Sequence, residues 1–300
     1  MFLQENRQKN KIVNKDLSEN EVVSLLYHSI FNYPLKQEEL IKWTVGEKVL
    51  EIFNKEKIYQ SALKIRQKDK YFYFGYQGAL IFQRLLKRRI SDRKKSLARK
   101  ASRILGFIPT IRFIGLTGAL AMDNSDENSD IDLLIIVSKN TLWTTRLISY
   151  LILKFFGMTI RRFEKKPTAL GQKDKLCLNM WLDESSLVWR GKRDLFTSHE
   201  IAQIVPLINK KGIYEKLINK NQWLKDFWPN AILIRNSKTF SPPVEVSLSP
   251  FIVFEPLAYK FQRWYMKGKV TREVVAQHKA IFHPFDWDKI VNSRLTLWLT

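Results

Sequence analysis

Asp130 and Asp132, one residue apart, stand at the head of the apolar run Leu133-Leu134-Ile135-Ile136-Val137. A strand sends alternate side chains to opposite faces, so both acids point one way while Ile131 and Leu133 point the other. Two neighbouring carboxylates repel each other unless a cation sits between them. The economical cation is Mg2+, which prefers carboxylate oxygen and shares its remaining positions with water and phosphates. With two ions ~4 Å apart, such a site can activate an attacking hydroxyl and neutralise a departing pyrophosphate. Upstream, Thr117-Gly118-Ala119 follows the strand-like "IRFIGL" and opens a short helix. Backbone N–H groups at that turn can cradle a triphosphate, and Gly118 lets the backbone approach closely. An EF-hand loop starting at Asp123 fails, because Asn128 stands where glycine is needed and Leu134 where glutamate is needed.

The stretch "TGALAMDNSDENSDIDLLIIV" resembles the nucleotidyltransferase domain of the DNA polymerase beta superfamily, whose motif is Gly-Ser or Gly-Gly, a spacer, and Asp-x-Asp in an apolar strand. More widely, "FNYPL", "LCLNMWL", "RDLFTSHEIAQ" and "FHPFD" resemble a group of bacterial proteins with this domain at their centre. The resemblance implies a mixed-sheet transferase core that binds a nucleoside triphosphate and Mg2+. Asp130 and Asp132 would be its catalytic metal ligands, and Thr117, Gly118 and Ala119 its nucleotide turn. Ala119 departs from the family's second glycine or serine, so only its backbone amide is on offer. The family also takes a third carboxylate from a later strand. In "KLCLNMWLDE" simple alternation puts Cys177, Asn179, Trp181 and Asp183 on one face. Asn179 then stands where the acid is expected and is the candidate third metal ligand, while Asp183 lies about 13 Å further along.

The elements that must hold these residues suggest an α+β protein in four stretches. Residues 1–82 read as a winged-helix-like module. Ser18 and Glu21 form a capping box, "KQEELIKW" and "GEKVLEIF" continue as helices, and "KIYQSALKI" and "YFYFGY" form a hairpin around "RQKDK". Its third helix carries Glu47, Glu51 and Glu56, so Arg66, Lys68 and Lys70 in the hairpin are the better nucleic-acid contact. Packing against the neighbouring domain or a partner protein is the first expectation. Residues 83–107 form a basic amphipathic helix, either a rail for a phosphate backbone or a solvated connector; between Arg84 and Arg103 its only acid is Asp92. Residues 108–192 are the nucleotidyltransferase core with its central mixed sheet. Residues 193–300 are expected to be helical, including "FEPLAYKFQRWYMKG" and "TREVVAQHKAIF", after a surface linker at Pro242-Pro243.

The formal net charge of +22 attracts polyanions, and Arg161, Arg162, Arg190 and Lys192 flank the central strands as candidate phosphate or nucleic-acid contacts. His199 reads as a packed helix residue, and His278 and His283 lack the spacing of a helical metal pair. Cys177, the only cysteine, excludes an intramolecular disulfide. The most apolar window, from Thr141, contains Arg146 and Lys154, and the first residues lack the apolar core of a signal peptide. A cytoplasmic protein without membrane insertion is expected. The expected function is Mg2+-dependent transfer of a nucleoside monophosphate to an acceptor hydroxyl on RNA, protein or a small molecule, with a nucleoside triphosphate and RNA or DNA as candidate partners. The alternative is a catalytically weak nucleotide- or nucleic-acid-binding module on the same fold, favoured by Ala119 and Asn179.

Overall fold

The computed structural model describes residues 11–12, 17–75, 78–161, 172–232, 249–267, 274–281 and 287–300. In chain order it builds β1 (Lys11–Ile12), α1 (Glu19–Ser29), β2 (Leu35–Lys36), α2 (Gln37–Lys42), α3 (Glu47–Leu50), α4 (Lys55–Ala62), β3 (Ile65–Lys68), β4 (Tyr71–Phe74), α5 (Leu80–Gly106), β5 (Ile111–Leu116) and α6 (Gly118–Ala121). There follow β6 (Ile131–Val137), α7 (Leu142–Phe155), β7 (Leu176–Asp183), α8 (Leu195–Ala202), β8 (Val205–Asn209), α9 (Ile213–Asn219), α10 (Ser249–Met266), β9 (Val274–Ala276), β10 (Lys279–Ile281) and α11 (Trp287–Leu299).

β6 is apolar on both faces because both faces are covered. Ile131, Leu133, Ile135 and Val137 join a core with α5, α7 and α10, whereas Leu134 and Ile136 join a second core on the other side. The strand lies inside a six-stranded sheet of order β8-β5-β6-β7-β10-β9. Its pairing with β7 is parallel and the other pairings are antiparallel, so the sheet is mixed. A parallel pair needs a crossover, and α7 supplies it.

The second core unites the N-terminal segment with the sheet. Val22, Leu26, Trp43 and Phe72 share it with Phe113, Leu134, Ile201 and Trp228. The N-terminal segment therefore packs against its neighbour. Ser18 caps α1 and forms the capping box with Glu21. Two local expectations fail. Asn54 accepts from Glu56 and Lys57 N–H and starts α4, so most of "KIYQSALKI" is helix and the strand begins only at Ile65. Arg66 is buried and its Nη1 donates to Leu63 O at 3.1 Å, so it is not the outward nucleic-acid contact expected.

The C-terminal stretch is not simply helical. Residues 205–209 pair with β5 to form one sheet edge, and β9 and β10 form a hairpin that extends the other edge through β7. "TREVVAQHKAIF" was expected to be a helix, but its apolar pairs Val274-Val275 and Ala280-Ile281 lie on two short paired strands. The linker at Pro242-Pro243 and His283 fall outside the described residues.

Where the N-terminal segment meets α8, His28 and His199 sit among Tyr27, Trp43 and Trp228, with ring centroids 4.3 Å apart for Trp43 and His199. Burial holds His199 well below its usual pKa and lowers His28 from 6.5 to about 3. A depressed histidine is neutral in the fold and charges on unfolding, so its stabilisation is present above 6.5 and is lost as pH falls toward 3. Replacing His28 by phenylalanine is expected to flatten the acid limb of the stability profile in that window by about 1.4 kcal/mol per pH unit. Urea unfolding at several pH values measures it, and an unchanged slope would contradict neutral burial.

Candidate metal and nucleotide site

The acidic loop that delivers Asp130 is fastened to the basic helix. Lys94 is fully buried, and its Nζ donates to Glu127 O at 3.1 Å, Ser129 O at 2.6 Å and Asp174 Oδ1 at 2.8 Å. Lys95 pairs with Asp123, Lys87 with Asp126, and Arg93 with Glu127 and Asp174. Much of the positive face of α5 is thus neutralised by acids about 30 residues or more away in sequence. A count of intrahelical pairs could not see them. Arg88, Arg89, Arg99, Lys100 and Arg103 remain exposed and make no ion pair among the described residues.

At the mouth of β6, Asp130 and Asp132 lie on the same side and both are half-buried. One oxygen of each and the Cys177 sulfur lie within 4.8 Å of one another. Cys177 arrives there because β6 and β7 pair Asp132 with Cys177. The register then shifts: Leu134 pairs with Met180, so β7 spends three residues where β6 spends two. Such an extra residue flips every later side chain. Trp181 accordingly joins the core of α5 and α7, while Leu182 joins the opposite core. The expected alternation thus holds through Asn179 and fails beyond it.

This bulge decides between the two candidate third ligands. Asp183 is fully buried at the far end of β7. It accepts from His278 Nδ1 at 2.7 Å, Asn140 N–H at 3.2 Å and the Ser185 N–H and hydroxyl. Asn179 stays at the site: its Nδ2 donates to Asp132 Oδ1 at 2.8 Å, and its Oδ1 is buried without a partner. Cys177 was not among the expected ligands. The signal was present in its alternation with Asn179, but the residue type suggested only the absence of a disulfide.

Arg161 is also at the site. Its Nη1 donates to Asp130 Oδ2 at 2.6 Å and lies 3.7 Å from Cys177 Sγ. One guanidinium compensates one of two carboxylates, so a negative charge is left over. Burial, and then the charge of Asp130, pushes the Asp132 carboxyl up to about 8. Burial and the same two acids push the Cys177 thiol up as well. Asp132 and Cys177 are therefore short of positive charge.

Gly118 closes the site from above. Its φ is +59°, a conformation that favours glycine, and a Cβ there would come within 2.8 Å of Asp132 Oδ2, so the carboxylate would have to shift. Thr117 N–H donates to Asp132 O at 3.1 Å, and its hydroxyl is buried without a partner. Ala119, the second residue of the single turn of α6, is exposed. Glu200 of α8 reaches the Gly118 N–H, and burial raises its pKa to about 7. Sequence gave no reason to prefer it over its neighbour His199, which faces the aromatic cluster instead.

Of the remaining expected phosphate contacts, neither Lys192 nor Arg190 touches these residues among the described contacts. Lys192 is paired with Asp194 at 3.0 Å and Asp288 at 2.8 Å, and Arg190 is exposed on the loop after β7. Arg162 lies outside the described residues. No family model, curated protein or solved structure matches the chain.

Proposed function

We propose that the protein is a metal-dependent nucleotidyltransferase with an N-terminal winged-helix-like module, acting through Asp130, Asp132 and the Gly118 turn. The observation that carries the reading is the contact between the turn and the acids, with Gly118 pressed against the Asp132 carboxylate. It supports the reading because the turn's backbone lies against a candidate cation ligand.

The donor set fits one divalent cation better than two. Asp130 and Asp132 suit Mg2+, whereas the Cys177 thiol is a soft ligand that Mg2+ disfavours and Mn2+ or Zn2+ tolerates better. Asn179 would offer its unpartnered oxygen as a neutral ligand. When bound, the cation would neutralise phosphate charge. Arg161, released from Asp130, would be free to pair with a phosphate oxygen. The Ala119 amide would orient the triphosphate, joined by the Gly118 amide once Glu200, which accepts from it and has a pKa near neutrality, gives it up. The acceptor hydroxyl would belong to RNA, a protein or a small molecule.

The alternative, a catalytically weak binding module, draws on Cys177 and Asn179 standing where a third carboxylate would complete the site. Incubation with α-labelled nucleoside triphosphates and Mg2+ or Mn2+, followed by separation of RNA, protein and small products, tests the proposal. Label covalently attached to one of them supports the transferase. Bound nucleotide with no transfer to any of them supports the module.

A further inference from the structure

We propose that the outer surface formed by α5, α7 and α10 docks on an anionic lipid surface. The three helices cover one face of the sheet, with α7 packed against both α5 and α10. α10 turns Glu255, Ala258, Gln262 and Met266 inward. Its other side carries Phe254, Leu257, Phe261 and Trp264, spaced three, four and three residues apart, which places them in one stripe. They are 57%, 66%, 50% and 71% exposed. Leu151, Phe155 and Phe156 at the end of α7 are exposed too, Phe155 at 85%. A helix that is apolar on its solvent side as well as its core side is normally covered by something.

The charges beside this stripe say what covers it. Lys154, Lys260, Arg263 and Lys267 are exposed on the same helices and their ends. Phe156 shares a groove with Arg99, Lys100 and Arg103, three of the cations that α5 leaves without an ion pair. In Ser96–Gly106, α7 and α10 together the only acid is Glu255. It is buried, accepting from the Trp143 and Thr144 N–H groups at 2.8 Å each. With α5 taken from Ser96 onward, the described surface thus presents large apolar side chains and cations with no exposed carboxylate among them; Asp92 lies further back along α5.

A second copy of the chain would bring the same cations and a net charge of +22 to the interface, which opposes self-association. A nucleic acid would supply negative charge but no apolar phase for Phe254, Leu257 and Phe261. An anionic bilayer supplies both, with phenylalanine and leucine at the acyl boundary, tryptophan at headgroup level and lysine or arginine on the lipid phosphates. No helix among the described residues is long and apolar enough to cross a membrane, so the proposal is docking in the interface plane.

The test is flotation of the full chain with vesicles of phosphatidylcholine alone or with about one third phosphatidylglycerol, at roughly 0.1 M salt. Binding is expected only to the anionic vesicles and should weaken as salt rises. The combined variant Phe155→Ser, Phe156→Ser, Phe261→Ser and Trp264→Ser changes only exposed side chains and should bind at least tenfold less. Lys154→Ala and Lys267→Ala should each cost about fivefold. No flotation, equal flotation with neutral vesicles, or full binding by the aromatic variant would overturn the proposal. So would a concentration-dependent dimer in sedimentation velocity that the aromatic variant abolishes, or loss of single-stranded RNA binding in that variant while vesicle binding persists.

Discussion

Asp132→Asn is expected to lower nucleotide transfer by about a thousandfold or more, because a cation's stabilisation of developing phosphate charge amounts to several kcal/mol and each 1.36 kcal/mol is a factor of ten. The substitution is nearly isosteric. It also removes a half-buried carboxyl whose charged form is disfavoured without a cation, so the variant should fold at least as well as the parent. Loss of transfer with an unchanged or higher Tm therefore separates chemistry from folding. If transfer proceeds undiminished in the variant, the two aspartates are not the catalytic acids. Gly118 gives the same argument a second handle, since any side chain there meets Asp132 Oδ2 in a backbone conformation that only glycine adopts at little cost.

The second large effect concerns stability. Lys94→Met is expected to destabilise the fold by about 3–5 kcal/mol, the range found when one partner of a buried ion pair is removed. The ammonium satisfies Asp174 and two backbone carbonyls at once, and methionine fills the space while satisfying none of them. The lesion is also local, because Glu127 and Ser129 belong to the loop that ends at Asp130. Urea unfolding should show a lower midpoint, and hydrogen exchange should be faster in residues 123–130 than elsewhere. A midpoint within experimental error of wild type would mean that Lys94 does not clamp the loop.

The pair of acids was legible because strand alternation is local, and Asp132 interrupts an otherwise apolar period. The turn at Gly118 was legible for the same reason, as a glycine between a strand and a short helix. What could not be read was non-local. The bulge in β7 leaves no mark in "KLCLNMWL", yet it decides that Cys177 and Asn179 stay at the site while Asp183 turns to His278. Arg161 reaches Asp130 because an isolated bridge from Ile160 to Leu176 draws the segment after α7 alongside β7. The basic helix looked uncompensated because its acids come from the loop before β6 and from Asp174. β8, β9 and β10 are short strands, five or three residues long, and their pairing partners rather than their own periodicity make them strands.

The measurement that bears most directly on the central claim is a crystal soaked with Mn2+ and a non-hydrolysable nucleoside triphosphate, read by anomalous scattering. A manganese peak bonded to carboxylate oxygens of both Asp130 and Asp132, with phosphate oxygens beside the Gly118 amide, is the predicted result. Nucleotide bound elsewhere, or Arg161 still bridging Asp130 and Cys177 with no manganese between the acids, would contradict it.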